Sequence, residues 1–202
     1  AYIQKLVENN IILNSILFMN DNRREKPYSE DIIKISKKNG FDITKSVKDI
    51  LIENNLTFKE FNFVDINHPR LVEYIKNNEK GFLIFTGGGI LKKEVLNSGV
   101  KFIHFHPGIV PNYRGSTCFY YSILNEGNSG VTAYIMDEKL DTGDIVYQKK
   151  FNKPDHIFVD DVYDPFIRSE TLVEKILFDG KRAIGLQVRE NNQTETIYGA
   201  HV

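Results

Sequence analysis

Two imidazoles and one carboxylate are the groups in this chain best suited to chemistry. His104 and His106 sit in the stretch Lys101–Gly115, which reads KFIHFHPGIVPNYRG. Asp141 sits in Met136–Asp144, MDEKLDTGD, where four carboxylates fall within eight residues. An Asp near a His can orient the ring, favour its charged form and take part in proton transfer. Asp137 and Glu138 read as solvated, whereas Asp141, flanked by Leu140 and a Thr-Gly turn, is less comfortable as ordinary surface. His104, His106 and either Asp141 or Asp144 would also suit zinc or iron in a hydrolase. Taken singly each feature is weak. A lone strand His is more often a hydrogen-bonded core residue, and Tyr113-Arg114-Gly115 reads equally as a structural loop whose Arg is tied to a carboxylate. The triple glycine Gly87–Gly89 lacks both dinucleotide and phosphate-loop spacing.

The elements that must position these groups follow from the pattern. Lys101 to Phe105 is apolar, aromatic and β-branched, a buried strand. Side chains alternate along a strand, so His104 and His106 point one way and Phe105 the other. Pro107-Gly108 ends the strand, and the carboxyl end of a strand is where open α/β sheets bind ligands. Ser116 or Thr117 can cap a helix running to about residue 125. Upstream, helices are expected over 2–8, from Ser29 to Lys38, from Thr44 to Glu53, from Pro69 to Asn77 and from Leu91 to Asn97. Strands are expected over 11–19, 58–64 and 81–86. Downstream come strands at 131–136 and 143–151, a helix from Arg168 to Phe178, and a hairpin of 183–189 with 194–198 around Asn191-Asn192. Helix and strand in alternation predict an α/β fold with a mostly parallel sheet covered on both faces and an antiparallel C-terminal portion.

The bulk properties bound the function. With 202 residues, 41% hydrophobic and 26% charged, the chain suits one domain or one with a small appendage. A net charge of −1 makes no electrostatic case for nucleic acid or an anionic membrane, and the basic run Arg23, Arg24, Lys26 reads as a solvated loop. The single cysteine, Cys118, precludes an internal disulfide framework and suits a reducing, cytoplasmic compartment. No apolar run reaches membrane-spanning length.

The motifs resemble a known family. Strand, Gly-rich turn and helix, then His-Pro-Gly-x-x-Pro-x-Tyr-Arg-Gly, a helix, Gly-Val-Thr, and Leu-Asp-Thr-Gly-Asp look like the formyltransferase superfamily that uses 10-formyltetrahydrofolate. Its members include methionyl-tRNA, glycinamide ribonucleotide and sugar N-formyltransferases and formyltetrahydrofolate deformylase. The match is specific over roughly residues 81–151, and the preceding alternation is compatible with the family's Rossmann-like domain. The resemblance implies a catalytic domain over residues 1–180 whose first strand would precede Ala1, with a hairpin-like extension over 181–202. It places His106 at the family's His and Asp141 at its Asp. The family's Asn position, two before the His, holds His104, a real departure. The family's Asn donates a hydrogen bond to the oxygen of the tetrahedral intermediate, and a His can donate one too. On this view His106 and His104 stabilise the formyl oxygen, and Asp141 accepts the amine proton and orients His106. Thr86, Gly87, Gly88, Gly89, Ile90, Asp137, Leu140 and Thr142 would lie against the donor. Arg114 anchors its loop or binds the acceptor, and Tyr113 lines the acceptor channel.

The acceptor implied is a small primary amine, with an amino sugar attached to a nucleotide preferred by elimination. The C-terminal domain that methionyl-tRNA formyltransferase uses to hold tRNA is not in this sequence, so no nucleic-acid partner is expected. Neither a resident metal nor a membrane partner is expected, and the sequence leaves the oligomeric state open. Three alternatives stay open: a deformylase using the same residues, a metal-dependent hydrolase, and a degenerate member kept as a binding module.

Overall fold

The computed structural model describes residues 1–11, 13–20, 27–87, 89–179, 182–190 and 193–198. The N-terminal part comprises α1 (Tyr2–Glu8), β1 (Leu17–Met19), α2 (Glu30–Lys38), α3 (Val47–Glu53), β2 (Lys59–Phe61), α4 (Pro69–Asn78), β3 (Phe82–Phe85), α5 (Lys93–Leu96) and β4 (Lys101–His106). The rest comprises α6 (Cys118–Glu126), β5 (Asn128–Ile135), β6 (Ile145–Asn152), a π-helical turn (Val159–Tyr163), α7 (Asp164–Lys175), β7 (Ile176–Asp179), β8 (Arg182–Glu190) and β9 (Gln193–Tyr198). The pairs β1–β2 and β3–β4 are parallel, whereas β4–β5, β5–β6 and the three-stranded sheet β7–β8–β9 are antiparallel. This is the expected α/β architecture with an antiparallel C-terminal portion.

Local sequence explains where the helices stop. After α1, α2 and α3 comes a residue with positive φ, respectively Asn10, Gly40 and Asn55. An apolar residue follows each, and its amide reaches back to the helix: Ile11 to Leu6 O (2.8 Å), Phe41 to Ser36 O (3.1 Å) and Leu56 to Leu51 O (2.9 Å). These are Schellman closures, which satisfy the last carbonyls and seat an apolar side chain beneath the helix end. They also account for a difference from the sequence reading. Ile11 was expected to open a strand, but its amide closes α1, and the strand forms only over Leu17–Met19.

Other boundaries shift for similar reasons. The helix expected from Thr44 starts at Val47, because Thr44 bonds Asp42 Oδ1 through its amide (3.0 Å) and hydroxyl (2.6 Å), while Ser46 Oγ accepts from Asp49 N at 3.1 Å. The strand expected over 58–64 shortens to Lys59–Phe61, the residues that pair with β1. The helix expected from Leu91 shrinks to Lys93–Leu96, since Lys92 N is tied to Asn67 Oδ1 at 2.7 Å. The last long helix starts earlier than Arg168, with Pro165 in its first turn, where a missing N–H costs nothing. It ends earlier too, because Ile176 to Phe178 pair with β8 instead. The pairing of β8 with β9 matches the expected hairpin, although Asn191-Asn192 lie outside the described residues.

Two apolar clusters pack on opposite faces around β4. One joins Ile103 and Phe105 to Leu6 of α1, Phe119 of α6 and Ile167 and Leu172 of α7. The other joins Phe102 to Leu71, Val72 and Ile75 of α4 and Val95 of α5. A cavity of about 900 Å³ lies along β1 and β3, and Thr86 and Gly87 are among the residues that line it. Among the described residues, no helix is long and apolar enough to cross a membrane.

Candidate active site

Alternation along β4 puts Ile103 and Phe105 in one cluster and leaves His104 and His106 together on the other side, with ring centroids 6.3 Å apart. Beyond His106 the chain is pinned by the neighbouring antiparallel strands. Thr132 of β5 donates to Gly108 O (2.6 Å) and accepts from Val110 N (3.1 Å), and Gln148 of β6 donates to Val110 O (2.7 Å). Gly108 is required here by space. A Cβ would come within 2.6 Å of Tyr113 O, 2.7 Å of Cys118 Sγ and 2.9 Å of His106 Nε2.

His106 is 2% exposed. Its Nε2 lies 3.0 Å from Tyr113 O and 3.3 Å from Cys118 Sγ. A carbonyl only accepts, so Nε2 carries the proton. Cys118 in turn donates to Pro107 O at 3.2 Å, and burial pushes its thiol up to about 12, so it stays a thiol. On the other side of the ring, Nδ1 faces Asp141 Oδ1 at 3.5 Å. Burial lowers the His106 pKa below its ordinary 6.5, and the Asp141 charge only partly opposes this. The ring therefore rests neutral, with its Nδ1 lone pair turned toward a carboxylate. Two acceptors face each other, and a single arriving proton would turn them into a buried ion pair.

Asp141 is held for that duty. It is 7% exposed, with φ of +49°, and its Oδ2 accepts from Gly115 N at 2.6 Å while Oδ1 accepts from Tyr134 OH at 3.0 Å. Burial and the Asp141 charge raise the pKa of Tyr134 far above its ordinary range, so it remains a donor. The loop before Asp141 is closed by Asp137, whose Oδ1 accepts from Thr142 Oγ1 (2.5 Å) and Lys139 N (2.9 Å). Asp137 is thus exposed, as expected, but structurally engaged.

His104 is held differently. Its Nδ1 lies 3.0 Å from Phe85 O, and its ring packs at 5.7 Å from that of Phe85 and 5.9 Å from that of Tyr134. Burial lowers its pKa to about 4, so the ring is neutral.

The residues expected at the donor and acceptor sites are placed as follows. Thr86, Gly87, Gly89 and Ile90 are exposed at the end of β3, and Leu140 is exposed in the 137–142 loop. Ile90 and Leu140 are exposed at 76% and 66%, an apolar side chain left open on each loop. Gly88 lies outside the described residues. Tyr113 contributes its carbonyl to His106, while its hydroxyl bonds to Glu126 and Asn125 at the end of α6. Arg114 is exposed and makes no hydrogen bond or ion pair among the described residues, so the Arg–carboxylate anchor considered from sequence does not form. The amide of Gly115 anchors the loop to Asp141 instead. Sequence reasoning gave no role to Cys118, Tyr134, Thr132 or Gln148, because what each supports is distant in the chain. Among the described residues no group of three His, Cys, Asp or Glu is placed to hold a metal ion.

His106 from the end of a strand and Asp141 from a Gly-containing loop thus meet in one buried place, and comparison with known proteins shows the family to which the chain belongs. Residues 32–170 match the formyl transferase family, and the chain belongs to it. Its sequence is 33% identical over 135 residues to the methionyl-tRNA formyltransferase of Clostridioides difficile (strain 630), covering 64% of this chain and 43% of that protein. It is 30% identical to the methionyl-tRNA formyltransferase of Clostridium perfringens (strain SM101 / Type A), covering 75% of this chain and 50% of that one. The chain thus spans about half the length of the curated relatives it matches. Its fold is similar to that of phosphoribosylglycinamide formyltransferase from Streptococcus pneumoniae TIGR4, with a TM-score of 0.51, 15% identity, and coverage of 79% of this chain and 94% of that chain.

Proposed function

We propose that this chain carries the active site of an enzyme that moves a formyl group from 10-formyltetrahydrofolate, the donor its family resemblance implies, to a primary amine. The observation that carries the proposal is the buried His106–Asp141 pair, a ring nitrogen and a carboxylate oxygen 3.5 Å apart. As the amine nitrogen attacks the formyl carbon, negative charge develops on the carbonyl oxygen and the nitrogen becomes acidic. The proton passes, directly or through water, to the His106 Nδ1–Asp141 Oδ1 pair. His106 becomes an imidazolium, its charge sits beside the oxyanion in buried, low-dielectric surroundings, and that interaction strengthens as the transition state is reached. Collapse breaks the bond from carbon to the folate N10, which takes the proton. The products are the formamide and tetrahydrofolate. The exposed backbone of Thr86, Gly87, Gly89 and Ile90, together with the apolar side chains of Ile90 and Leu140, suits the flat donor ring.

For the acceptor, we favour an amino sugar linked to a nucleotide. The near-neutral charge of the chain offers little to a polyphosphate backbone. A second reading comes from the sequence relatives, which are named for methionyl-tRNA. It displaces the exclusion of nucleic acid drawn from sequence, because this chain spans only 43% of that relative and its charge speaks for this stretch alone. Formyl release assayed with UDP-glucosamine, methionyl-tRNA or no amine distinguishes the readings. Turnover dependent on the amino sugar supports the first and turnover dependent on methionyl-tRNA the second. Release without any amine makes the protein a deformylase, and background release in every case leaves a binding module.

A further inference from the structure

The two ring nitrogens of His104 are not equivalent. Nδ1 lies 3.0 Å from Phe85 O, and because that oxygen can only accept, Nδ1 must carry hydrogen. A neutral imidazole has one N–H, so Nε2 is a bare lone pair, and it makes no hydrogen bond among the described residues. A second proton on the ring is opposed by burial, which holds the pKa at about 4. Turning the ring over would leave the Phe85 carbonyl without this donor, and the rings of Phe85 and Tyr134 pack beside it at 5.7 and 5.9 Å. A lone pair placed against an oxygen that gains negative charge would raise the barrier. The oxygen-donor role expected for this position from the sequence therefore does not fit the tautomer that the fold selects.

We propose that His104 meets the substrate as a hydrogen-bond acceptor, its Nε2 taking an N–H of the attacking amine and so aiming the nitrogen lone pair at the formyl carbon. Stabilising the formyl oxygen then falls to the charge gained by His106, the neighbouring ring on the same strand face. The proposal rests on the amine-formylation reading above and deepens it. The fold has reversed the polarity of one position, giving the site an acceptor for the nucleophile.

Two measurements on the full chain test this. Nitrogen-15 NMR of the ring at neutral pH, assigned by the signals lost in His104→Phe, should show a protonated Nδ1 and a bare Nε2. The opposite tautomer overturns the proposal. His104→Phe keeps an aromatic ring between Phe85 and Tyr134 but has no acceptor. With UDP-glucosamine or methionyl-tRNA as the probe amine, whichever the native chain formylates, its amine KM should rise about tenfold, the worth of one hydrogen bond, with the donor KM unchanged. An unchanged amine KM, or a fall in kcat alone, overturns the proposal. If the native chain formylates neither amine, the formyl-transfer reading fails, while the NMR result still decides whether position 104 is an acceptor.

Discussion

His106 and His104 share a strand, a face and a neighbour, since Tyr134 packs near both rings, at 6.4 and 5.9 Å. Their other partners separate them. His106 gives its Nε2 proton to the Tyr113 carbonyl and turns Nδ1 toward Asp141, so its free lone pair lies in a place made for a proton. His104 gives its Nδ1 proton to the Phe85 carbonyl and has no carboxylate at ion-pair distance among the described residues. Two residues of the same type, two positions apart, thus receive different chemistry from one backbone oxygen each. What a histidine does is decided by which nitrogen the surrounding main chain occupies, and sequence alone does not show that.

The largest effect that would break the comparison lies at Asp141. Asp141→Asn keeps acceptor and donor capacity for Gly115 N and Tyr134 OH, so the fold should survive while the proton acceptor is lost. Single-turnover formyl transfer is expected to slow by about 10²–10⁴-fold, the usual worth of acid–base catalysis, and an unchanged rate would remove Asp141 from the mechanism.

The next effect is a stability profile that isolates His104. Its folded pKa of about 4 lies below the ordinary 6.5, so between these values the unfolded chain binds more protons than the folded one. Stability is full above pH 6.5 and is lost as pH falls toward 4, with a contribution from His104 on the order of 2–3 kcal/mol. Urea unfolding at stepped pH should show this slope in the native chain and a flatter one in His104→Phe. Equal slopes would mean that His104 is not the buried neutral base described here.

Smaller again is the packing of the loop between the two histidine partners. Gly108→Ala drives a methyl into Tyr113 O, Cys118 Sγ and His106 Nε2, and overpacking of this kind costs about 1–3 kcal/mol. A drop in urea midpoint together with kcat is expected, and a loss of stability with kcat intact would uncouple the loop from His106. The smallest effect is Cys118→Ala. With its thiol held up to about 12, Cys118 is no nucleophile, so turnover should stay within a few-fold of native and iodoacetamide should label it slowly. Rapid labelling, or a collapse in turnover, would show a thiolate.

The sequence made the site's frame legible because its signals there are local. Alternation placed both histidines on one face, Pro107-Gly108 marked the strand end, and the Leu-Asp-Thr-Gly turn drew attention to Asp141. The parallel-then-antiparallel order was equally readable from the spacing of helices and strands. What sequence did not show lies in long-range pairing. Thr132 and Gln148 become loop anchors only when β5 and β6 align beside β4, and Tyr134 becomes an Asp141 donor only through the turn of the 137–142 loop. The apolar run 176–178 carries no local signal for its β8 partner, so the helix pattern reads on through it. Arg114, the most eye-catching charge in the motif, turned out to be free among the described residues, while the amide next to it makes the bond.

The central claim is that the His106–Asp141 pair performs formyl transfer. Its most direct test is formyl release from 10-formyltetrahydrofolate by the native chain and by Asp141→Asn, each with and without a primary amine. Amine-dependent release by the native chain and its loss in the variant is the result expected. Background release by the native chain, or equal release by both proteins, would contradict it.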